Sequence, residues 1–236
     1  MFQSLKLIMQ NKKLTLLVAL FTGFVTLVQA QHKTYDIVNG FGIQGGITKF
    51  DIITKNFETK SGTGWMGGMS ATVDIPHRWY NVSYSIQFSE NNIDIFGRAN
   101  NTITTNEPIE FKMYTAQVAL LAHIKLIGSN LTLDAGPMLQ YNSELELKSK
   151  DQSDYIITNY NNLTADDIKS INQFNFDGAI GLTAGFDSFK VKAQYIYGFT
   201  NALNKLNNKD LDTSGSNESS FKGNQSILAF SAMFTF

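Results

Sequence analysis

A strict alternation of polar and apolar side chains is the feature that most constrains how this chain folds. It is clearest at residues 81–89, which read NVSYSIQFS. The apolar side chains in this stretch are Val82, Tyr84, Ile86 and Phe88. A period of two places polar and apolar sets on opposite faces of a β-strand. One face therefore meets water or other polar groups, and the other meets a protein core or a lipid bilayer.

Alternating segments of this kind recur along the chain. They lie at residues 41–50, 65–75, 81–89, 114–126, 131–141, 174–186, 189–199 and 226–236. Three connections are short, near Pro76, Gly128 and Asp187, and four are long and polar, at residues 51–63, 91–107, 148–172 and 201–223. Short turns at one end and long loops at the other are typical of a transmembrane barrel. The sequence predicts an all-β fold: an eight-stranded antiparallel up-and-down β-barrel with short periplasmic turns and four long extracellular loops.

The N-terminus has the features of a secretory signal peptide. Lysines precede an apolar run at residues 14–28, and small residues follow it. This arrangement is that of a signal peptide, and the run is short for a membrane helix of about 20 residues. We predict cleavage after Ala30, which divides the chain into a signal peptide over residues 1–30 and a barrel domain over residues 31–236.

The amino-acid composition and net charge exclude several classes of function. The chain has no cysteine, which excludes disulfides, thiolate metal sites and cysteine nucleophiles. Translation starts at Met1 or Met9, and removal of residues 1–30 takes away three of the 19 basic residues and none of the 20 acidic ones. The remaining net charge of −4 leaves no basic surface for nucleic acid.

Two closed barrels fit the alternation. In a soluble lipocalin-like barrel the apolar face lines a ligand cavity, whereas in an outer-membrane barrel it faces lipid. The polar face is rich in Gly, Ser, Thr, Asn and Gln, which suit a crowded lumen better than a solvated surface. Aromatic residues concentrate near the strand ends, as expected for girdles at the two lipid boundaries: Trp65, Trp79, Tyr80, Phe174, Phe176, Phe186, Phe189 and Phe199. These features favour lipid.

Charged side chains also fall on the predicted inner face. They are Asp74, His123, Lys125, Asp134, Asp177, Lys190 and Lys192. They form either a proton relay or ligand site, or a salt-bridged polar plug. An eight-stranded barrel has an interior just wide enough for side chains, and buried charges need partners. We therefore predict a filled lumen with no catalytic, cofactor or metal residues.

Other residue groups have simpler explanations. His77 and Arg78 beside Asp74 indicate a polar turn rather than a catalytic base with a nucleophile, so we predict a protein that is not an enzyme. The acidic segment at residues 148–167 lacks the ligand spacing of a calcium loop. Its aspartates are Asp151, Asp154, Asp166 and Asp167. Three lysines of the last long loop are candidates for lipopolysaccharide contact or ordinary solvation, namely Lys205, Lys209 and Lys222.

Several stretches resemble one family. They are GIQGGITKF, LTLDAGPMLQY, GLTAGF and the terminal FTF. In order and spacing they resemble the PorT-like outer-membrane β-barrel proteins of Bacteroidota, the "porin family" group, over residues 36–236. The resemblance implies an eight-stranded barrel whose Phe236 belongs to the insertion signal read by the barrel assembly machinery. It implies no shared catalytic residues, and some members take part in secretion and gliding.

The sequence therefore predicts a monomer in the outer membrane of a Gram-negative bacterium, with a filled lumen and no cofactor. It would act through its surface loops in binding, adhesion or envelope maintenance, in contact with outer-membrane lipid and lipopolysaccharide. Three alternatives stay open: a component of a secretion or gliding assembly with a stable partner, a narrow channel, and a soluble ligand-binding barrel. No nucleic-acid partner is expected.

Overall fold

The computed structural model describes residues 38–74, 77–103, 105–186 and 188–236, so the predicted signal peptide lies outside the described residues. Ten strands follow one another along the chain: β1 (Val38–Thr54), β2 (Thr59–Asp74), β3 (Tyr80–Arg98), β4 (Glu107–Ile127), β5 (Leu131–Asn142), β6 (Glu146–Leu147), β7 (Ile156–Ile157), β8 (Phe174–Phe186), β9 (Phe189–Gly198) and β10 (Gly223–Thr235). In the parts of the chain that are described, no helix is long and apolar enough to span a membrane.

The eight long strands close on themselves. Each pairs antiparallel with its neighbours in the order β4, β5, β8, β9, β10, β1, β2 and β3, and the pairing of β3 with β4 completes the ring. The first and last long strands pair from Gly42 opposite Thr235 to Thr54 opposite Gly223. A closed ring leaves no unpaired strand edge. The predicted eight-stranded up-and-down barrel is confirmed.

Two of the predicted long loops are wrong in extent. The first, at residues 51–63, is mostly strand, because β1 continues to Thr54 and β2 begins at Thr59. The second, at residues 91–107, shrinks to eight residues because β3 continues to Arg98. The alternation of polar and apolar side chains persists through these extensions, but here the apolar side chains point inward. A search that expects apolar side chains on the outer face therefore does not detect them.

The last two long loops are close to their predicted positions and contain structure of their own. The third lies between β5 and β8 and contains β6 and β7, which pair with β4 and β3 respectively. It also holds 3₁₀ turns at Lys150–Gln152 and Asp167–Lys169. The fourth, between β9 and β10, contains a 3₁₀ turn at Asn204–Asn208. The predicted solvated loops are therefore folded segments.

Interior glycines let neighbouring strands approach one another. A β-carbon at Gly46 in β1 would overlap the backbone carbonyl oxygen of Phe230 in β10. A β-carbon at Gly64 in β2 would overlap the carbonyl oxygen of Glu90 in β3 in the same way. No other residue lacks this atom, so glycine is required at both positions for the observed close approach.

Candidate functional site

The outer face of the barrel wall is apolar. On β3 the outward side chains Tyr84, Ile86 and Phe88 are 59%, 51% and 56% exposed. The same holds on the other long strands, whose exposed apolar residues include Phe41, Ile43, Ile47, Met69, Val118, Leu120, Leu139, Ile180, Leu182, Val191, Phe230 and Phe234. A contiguous apolar surface of this extent is not stable in water. It is the surface that faces lipid.

Aromatic side chains cluster at both ends of this apolar belt. At the short-turn end the rings of Trp79 and Tyr80 are 5.1 Å apart, as are those of Phe189 and Phe234. At the long-loop end Tyr141 and Phe174 meet at 4.9 Å. All eight aromatic residues assigned to the girdles point outward or lie at strand ends, as the aromatic girdles of a membrane barrel do.

The interior of the barrel wall carries many buried polar side chains, beside buried apolar ones such as Leu121 and Met138. Gln44, Gln87, Gln117, Gln140 and Asn142 are each at most 8% exposed and point into the lumen. A soluble ligand-binding barrel needs the opposite arrangement, with an apolar cavity and a polar outside. A closed barrel with an apolar belt, aromatic girdles and a polar lumen is an integral outer-membrane β-barrel.

Amide side chains cross-link the middle of the lumen. Gln117 Nε2 donates to Gln140 Oε1 at 2.5 Å, and Gln140 Nε2 donates to Asn142 Oδ1 at 2.8 Å. The same Gln140 nitrogen also donates to Gln225 Oε1 across the lumen. Thr115 Oγ1 extends the chain by donating to Asn142 Oδ1 at 3.1 Å. These bonds join strands β4, β5 and β10 through the interior, so side chains cross the lumen at this level.

The charged residues predicted on the inner face do lie there, and two pairs form near the short turns. Lys125 Nζ is 2.6 Å from Asp74 Oδ1, and Ser129 Oγ donates to Asp74 Oδ2 at 3.2 Å. His123 Nδ1 is 2.7 Å from Asp134 Oδ1. The Lys125–Asp74 ion pair is one part of the expected salt-bridged plug.

Asp134 is the best-satisfied charge in the lumen. Besides His123, its carboxylate accepts hydrogen bonds from Thr132 Oγ1 at 2.7 Å and from Thr183 Oγ1 at 2.5 Å. The far ring nitrogen of His123, Nε2, lies 2.6 Å from Ser83 Oγ. Sequence reasoning placed His123 and Asp134 on one face but did not single out Ser83, because only the strand register brings its hydroxyl to the histidine.

Asp177 departs from the predicted pairing of charges. Its side chain lies on the inner face of β8 and is 1% exposed. Among the described residues, neither of its carboxylate oxygens has a hydrogen-bond partner. Both polar atoms of Gln194, on the neighbouring strand β9, are also without partners there. A buried carboxylate without partners is costly, so this layer of the lumen lacks the satisfaction seen around Asp134.

Above the polar lumen, the inner face becomes apolar. The inward residues Phe50 on β1, Ile93 and Ile95 on β3, and Phe111 on β4 are all fully buried. They pack with residues of the first, third and fourth loops in one hydrophobic core, which includes Phe57, Leu145, Ile157, Tyr160, Leu163, Ile168, Ile171, Leu203, Leu206 and Phe221. We call this unit, formed by the long-loop ends of β1–β4 and the loops at residues 143–173 and 199–222, the cap.

Hydrogen bonds tie the loops of the cap together. Asn172 N donates to Ala202 O at 2.7 Å, joining the third loop to the fourth. At the outer surface Asn162 Nδ2 donates to Asp212 Oδ2 at 2.6 Å, and Ser214 N donates to Asp212 Oδ1 at 2.9 Å. These hydrogen bonds, led by the one from Asn162, lower the pKa of the Asp212 carboxyl to about 2. The third and fourth loops thus act as one body.

The remaining candidate residues belong to the cap's surface contacts. Asp166 pairs with Lys169 at 2.5 Å, and Asp167 accepts a hydrogen bond from Thr164 Oγ1 at 2.7 Å, while Asp151 and Asp154 are exposed. Within the described residues, no group of three or more acidic, histidine or cysteine side chains could hold a metal ion.

Two of the three loop lysines considered for lipopolysaccharide contact interact within the cap. Lys205 is 3.4 Å from Glu144, and Lys209 Nζ donates to the carbonyl oxygen of Asp167 at 3.4 Å. Lys222 is exposed. At the opposite end of the barrel, His77 and Arg78 lie in the turn between β2 and β3, where His77 has a φ of 70°.

Comparisons with known proteins give likenesses of structure. The chain is similar to neisserial surface protein A (9% identity, 85% of this chain and 99% of that chain, TM-score 0.45). It is also similar to the Yersinia pestis outer membrane protein Ail (11% identity, 84% and 100%, TM-score 0.36). A third is the translocator domain of the autotransporter NalP from Neisseria meningitidis (10% identity, 95% and 98%, TM-score 0.32). No protein-family model and no curated protein sequence matches, so the resemblance to PorT-like proteins remains a prediction.

Proposed function

We propose that this outer-membrane barrel is a monomer with a closed lumen that uses its cap as a rigid binding surface outside the cell. The observation that carries the proposal is the hydrophobic core shared by the loops and the strand ends. Long loops on a barrel are ordinarily mobile, and ordering them costs conformational entropy. Here that cost is met during folding, so a partner binds a preformed surface without ordering it again.

The cap surface offers a place for such a partner. A shallow cleft of about 420 Å³ is lined by residues of the second, third and fourth loops and of the end of β3. Arg98 Nη2 holds one wall by donating to Asn101 Oδ1 at 3.0 Å and to Tyr160 O at 2.8 Å. Asn101 Nδ2 in turn donates to Asn161 O at 3.1 Å. Amide and guanidinium groups on a fixed frame suit a polar, hydroxyl-rich ligand.

Binding by the cleft can be tested with the barrel reconstituted in nanodiscs and applied to immobilised glycans and purified lipopolysaccharide. We expect binding to at least one of these surfaces, and a loss of about tenfold or more in the double variant Asn101→Ala, Asn161→Ala. A Trp79→Phe variant, changed at the opposite end of the barrel, is the matched control. Equal binding by the double variant would move the function away from this cleft.

The alternative of a narrow channel is tested by measuring ion conductance. Amide side chains cross the lumen, and the cap core lies over it, so we expect no ion conductance in planar bilayers from the purified wild-type barrel. Discrete conductance steps would favour a channel. A secretion or gliding role would instead yield a stable partner that copurifies from mild detergent.

The proposal also includes the membrane contacts of the barrel and its insertion. We propose outer-membrane lipid and lipopolysaccharide as the contacts of the apolar belt and its rim. Recognition by the barrel assembly machinery is proposed to use Phe236, whose side chain is 79% exposed and whose backbone nitrogen donates to Phe41 O at 2.8 Å.

A further inference from the structure

Three side chains near the short-turn end of the lumen form a linear hydrogen-bonded relay. Ser83 Oγ is 2.6 Å from His123 Nε2, and His123 Nδ1 is 2.7 Å from Asp134 Oδ1. They lie on three consecutive strands, with His123 directly opposite Asp134 in the pairing of β4 with β5. A hydroxyl, an imidazole and a carboxylate in this order are the parts of an activated serine nucleophile.

The surroundings of Asp134 fix the direction of the relay. Thr132 and Thr183 both donate to its carboxylate, so the aspartate is held as an acceptor. An accepting carboxylate requires the Nδ1 atom of His123 to carry the proton. In neutral histidine the lone pair is then on Nε2, where it accepts the hydroxyl proton of Ser83. This tautomer is the one that a general base needs.

A cavity of about 30 Å³ lies beside the relay and is lined by Ser83, His123, Gln44, Asn81, Lys190 and Lys192, among others. This is the volume open to the centres of water molecules, and it corresponds to about two waters. Two waters occupy roughly 60 Å³ in the liquid, which is the size of a two-carbon acyl group. Two buried polar atoms lining it, Gln44 Nε2 and Asn81 Oδ1, have no hydrogen-bond partner among the described residues. Buried polar groups are rarely left without partners unless a ligand or water satisfies them.

Access is from the periplasmic end of the barrel. The side chain of His123 keeps 12% of its area exposed, and Thr72 and Lys190 on the same cavity are partly exposed. Ser83 lies three residues from the start of β3, a distance of about 10 Å along the strand. The cap covers the opposite end, so a substrate reaches Ser83 only through the periplasmic mouth.

We propose that Ser83 is the nucleophile of an acyl-transfer site that acts on short-chain esters entering from the periplasm. As Ser83 Oγ bonds to the ester carbonyl carbon, its proton passes to His123 Nε2. The carbon–oxygen bond to the alcohol then breaks, and the alcohol leaves with that proton. Water repeats both steps, releasing the carboxylic acid and restoring the serine hydroxyl.

The other lining groups have roles in the same reaction. The amide N–H of Gln44 and the ammonium group of Lys192 are donors on the cavity wall, suited to the negative charge that develops on the carbonyl oxygen. Asp134 acts through His123 and is a positioning residue. This activity is independent of the binding role proposed for the cap, and it departs from the sequence-based prediction of a protein without enzymatic activity.

The test uses the full barrel folded in detergent and treated with a small alkyl fluorophosphonate. Attack by Ser83 Oγ forms an oxygen–phosphorus bond and expels fluoride, which adds a fixed mass to the protein. We expect one label per wild-type chain, located at Ser83 by peptide mapping. Ser83→Ala removes the label, and His123→Gln slows labelling by about 10²–10⁴-fold. Ser85→Ala, a change on the same face of the same strand, keeps the wild-type rate.

Hydrolysis of p-nitrophenyl acetate gives a second readout on the same samples. The rate should fall with Ser83→Ala and His123→Gln and stay unchanged with Ser85→Ala. Heat-modifiable gel mobility verifies that each variant is folded. Folded wild-type protein that takes up no label, or a label that maps to another serine, would overturn the proposal.

Discussion

The membrane wall and the cap of this barrel are built from the same strands with opposite polarity. On β3, the inward residues Ser85 and Gln87 are polar within the wall, whereas Ile93 and Ile95 are apolar within the cap. The outward residues reverse at the same level, from the apolar Phe88 to Glu90, Asn92 and Asp94. The strand is continuous across the reversal. What lies outside the barrel therefore decides what must lie inside.

The physical reason differs between the two regions. In the wall, lipid contacts the outward apolar side chains, and polar side chains inside hydrogen-bond one another, as Gln117, Gln140 and Asn142 do, beside buried apolar ones. In the cap the outside is water, so stability depends on burying apolar groups in the interior, as Phe111 and Tyr160 are buried. The wall interior mixes hydrogen-bonded polar groups with apolar side chains, whereas the interior of the cap is a conventional hydrophobic core.

The largest effect should come from removing one aromatic ring from each region. Phe111→Ala deletes a fully buried cap side chain and leaves a cavity, so we expect a loss of about 3–5 kcal/mol in the free energy of unfolding. Phe88→Ala removes a lipid-facing ring whose volume the acyl chains refill, with a smaller loss of about 1.5–3 kcal/mol. Equilibrium unfolding by urea in lipid vesicles measures both. Equal losses would mean that the cap has no packed core.

A smaller effect should separate two buried aspartates in the wall. Asp134→Asn replaces one acceptor oxygen by a donor facing the threonines and the histidine, so we expect a loss of about 1–3 kcal/mol. Asp177→Asn removes a charge whose oxygens lack partners among the described residues, so we expect a gain of about 1 kcal/mol or more. Thermal melts of the two variants beside the wild type give the signs. Destabilisation by both would show that Asp177 has a partner in solution.

The smallest effect concerns the surface of the cap. Because the pKa of Asp212 is lowered to about 2, its ionised form favours the folded cap at any pH above the unfolded value near 3.8. This contribution is lost as the pH falls through about 2. The protection of residues 199–222 against hydrogen exchange should therefore fall between pH 4 and pH 2 more in the wild type than in Asp212→Asn. Identical pH profiles in the two proteins would mean that ionised Asp212 does not stabilise the cap.

Sequence alone predicted the wall better than the cap. Period-two alternation with one fixed polarity locates all eight strands, and the inward residues Asp134 and Asp177 were placed correctly. The strand extensions were not predicted because the inward side chains change from polar to apolar between Thr48 and Phe50 on β1, and again after Asn91 on β3. A search for alternation of either polarity would have found them.

Neither the folded structure of the loops nor the serine relay could be predicted without knowledge of three-dimensional contacts. Tyr160 and Phe221 stack with ring centroids 6.3 Å apart, although they come from different loops with no shared local pattern. Ser83 meets His123 only through the register of β3 against β4, which sequence periodicity does not specify. Pattern reveals which face a residue occupies, but not which residue of the next strand it faces.

A cysteine scan along β3 tests the reversal of polarity most directly, because the chain has no native cysteine to confuse the result. Folded single-cysteine variants in vesicles would be treated with a water-soluble maleimide. We expect rapid labelling at positions Glu90 and Asp94 and none at the lipid-facing positions Ile86 and Phe88 or at Ile95 in the cap core. Labelling of Ile86 and Phe88 would put the apolar belt in water, and labelling of Ile95 would mean an open cap.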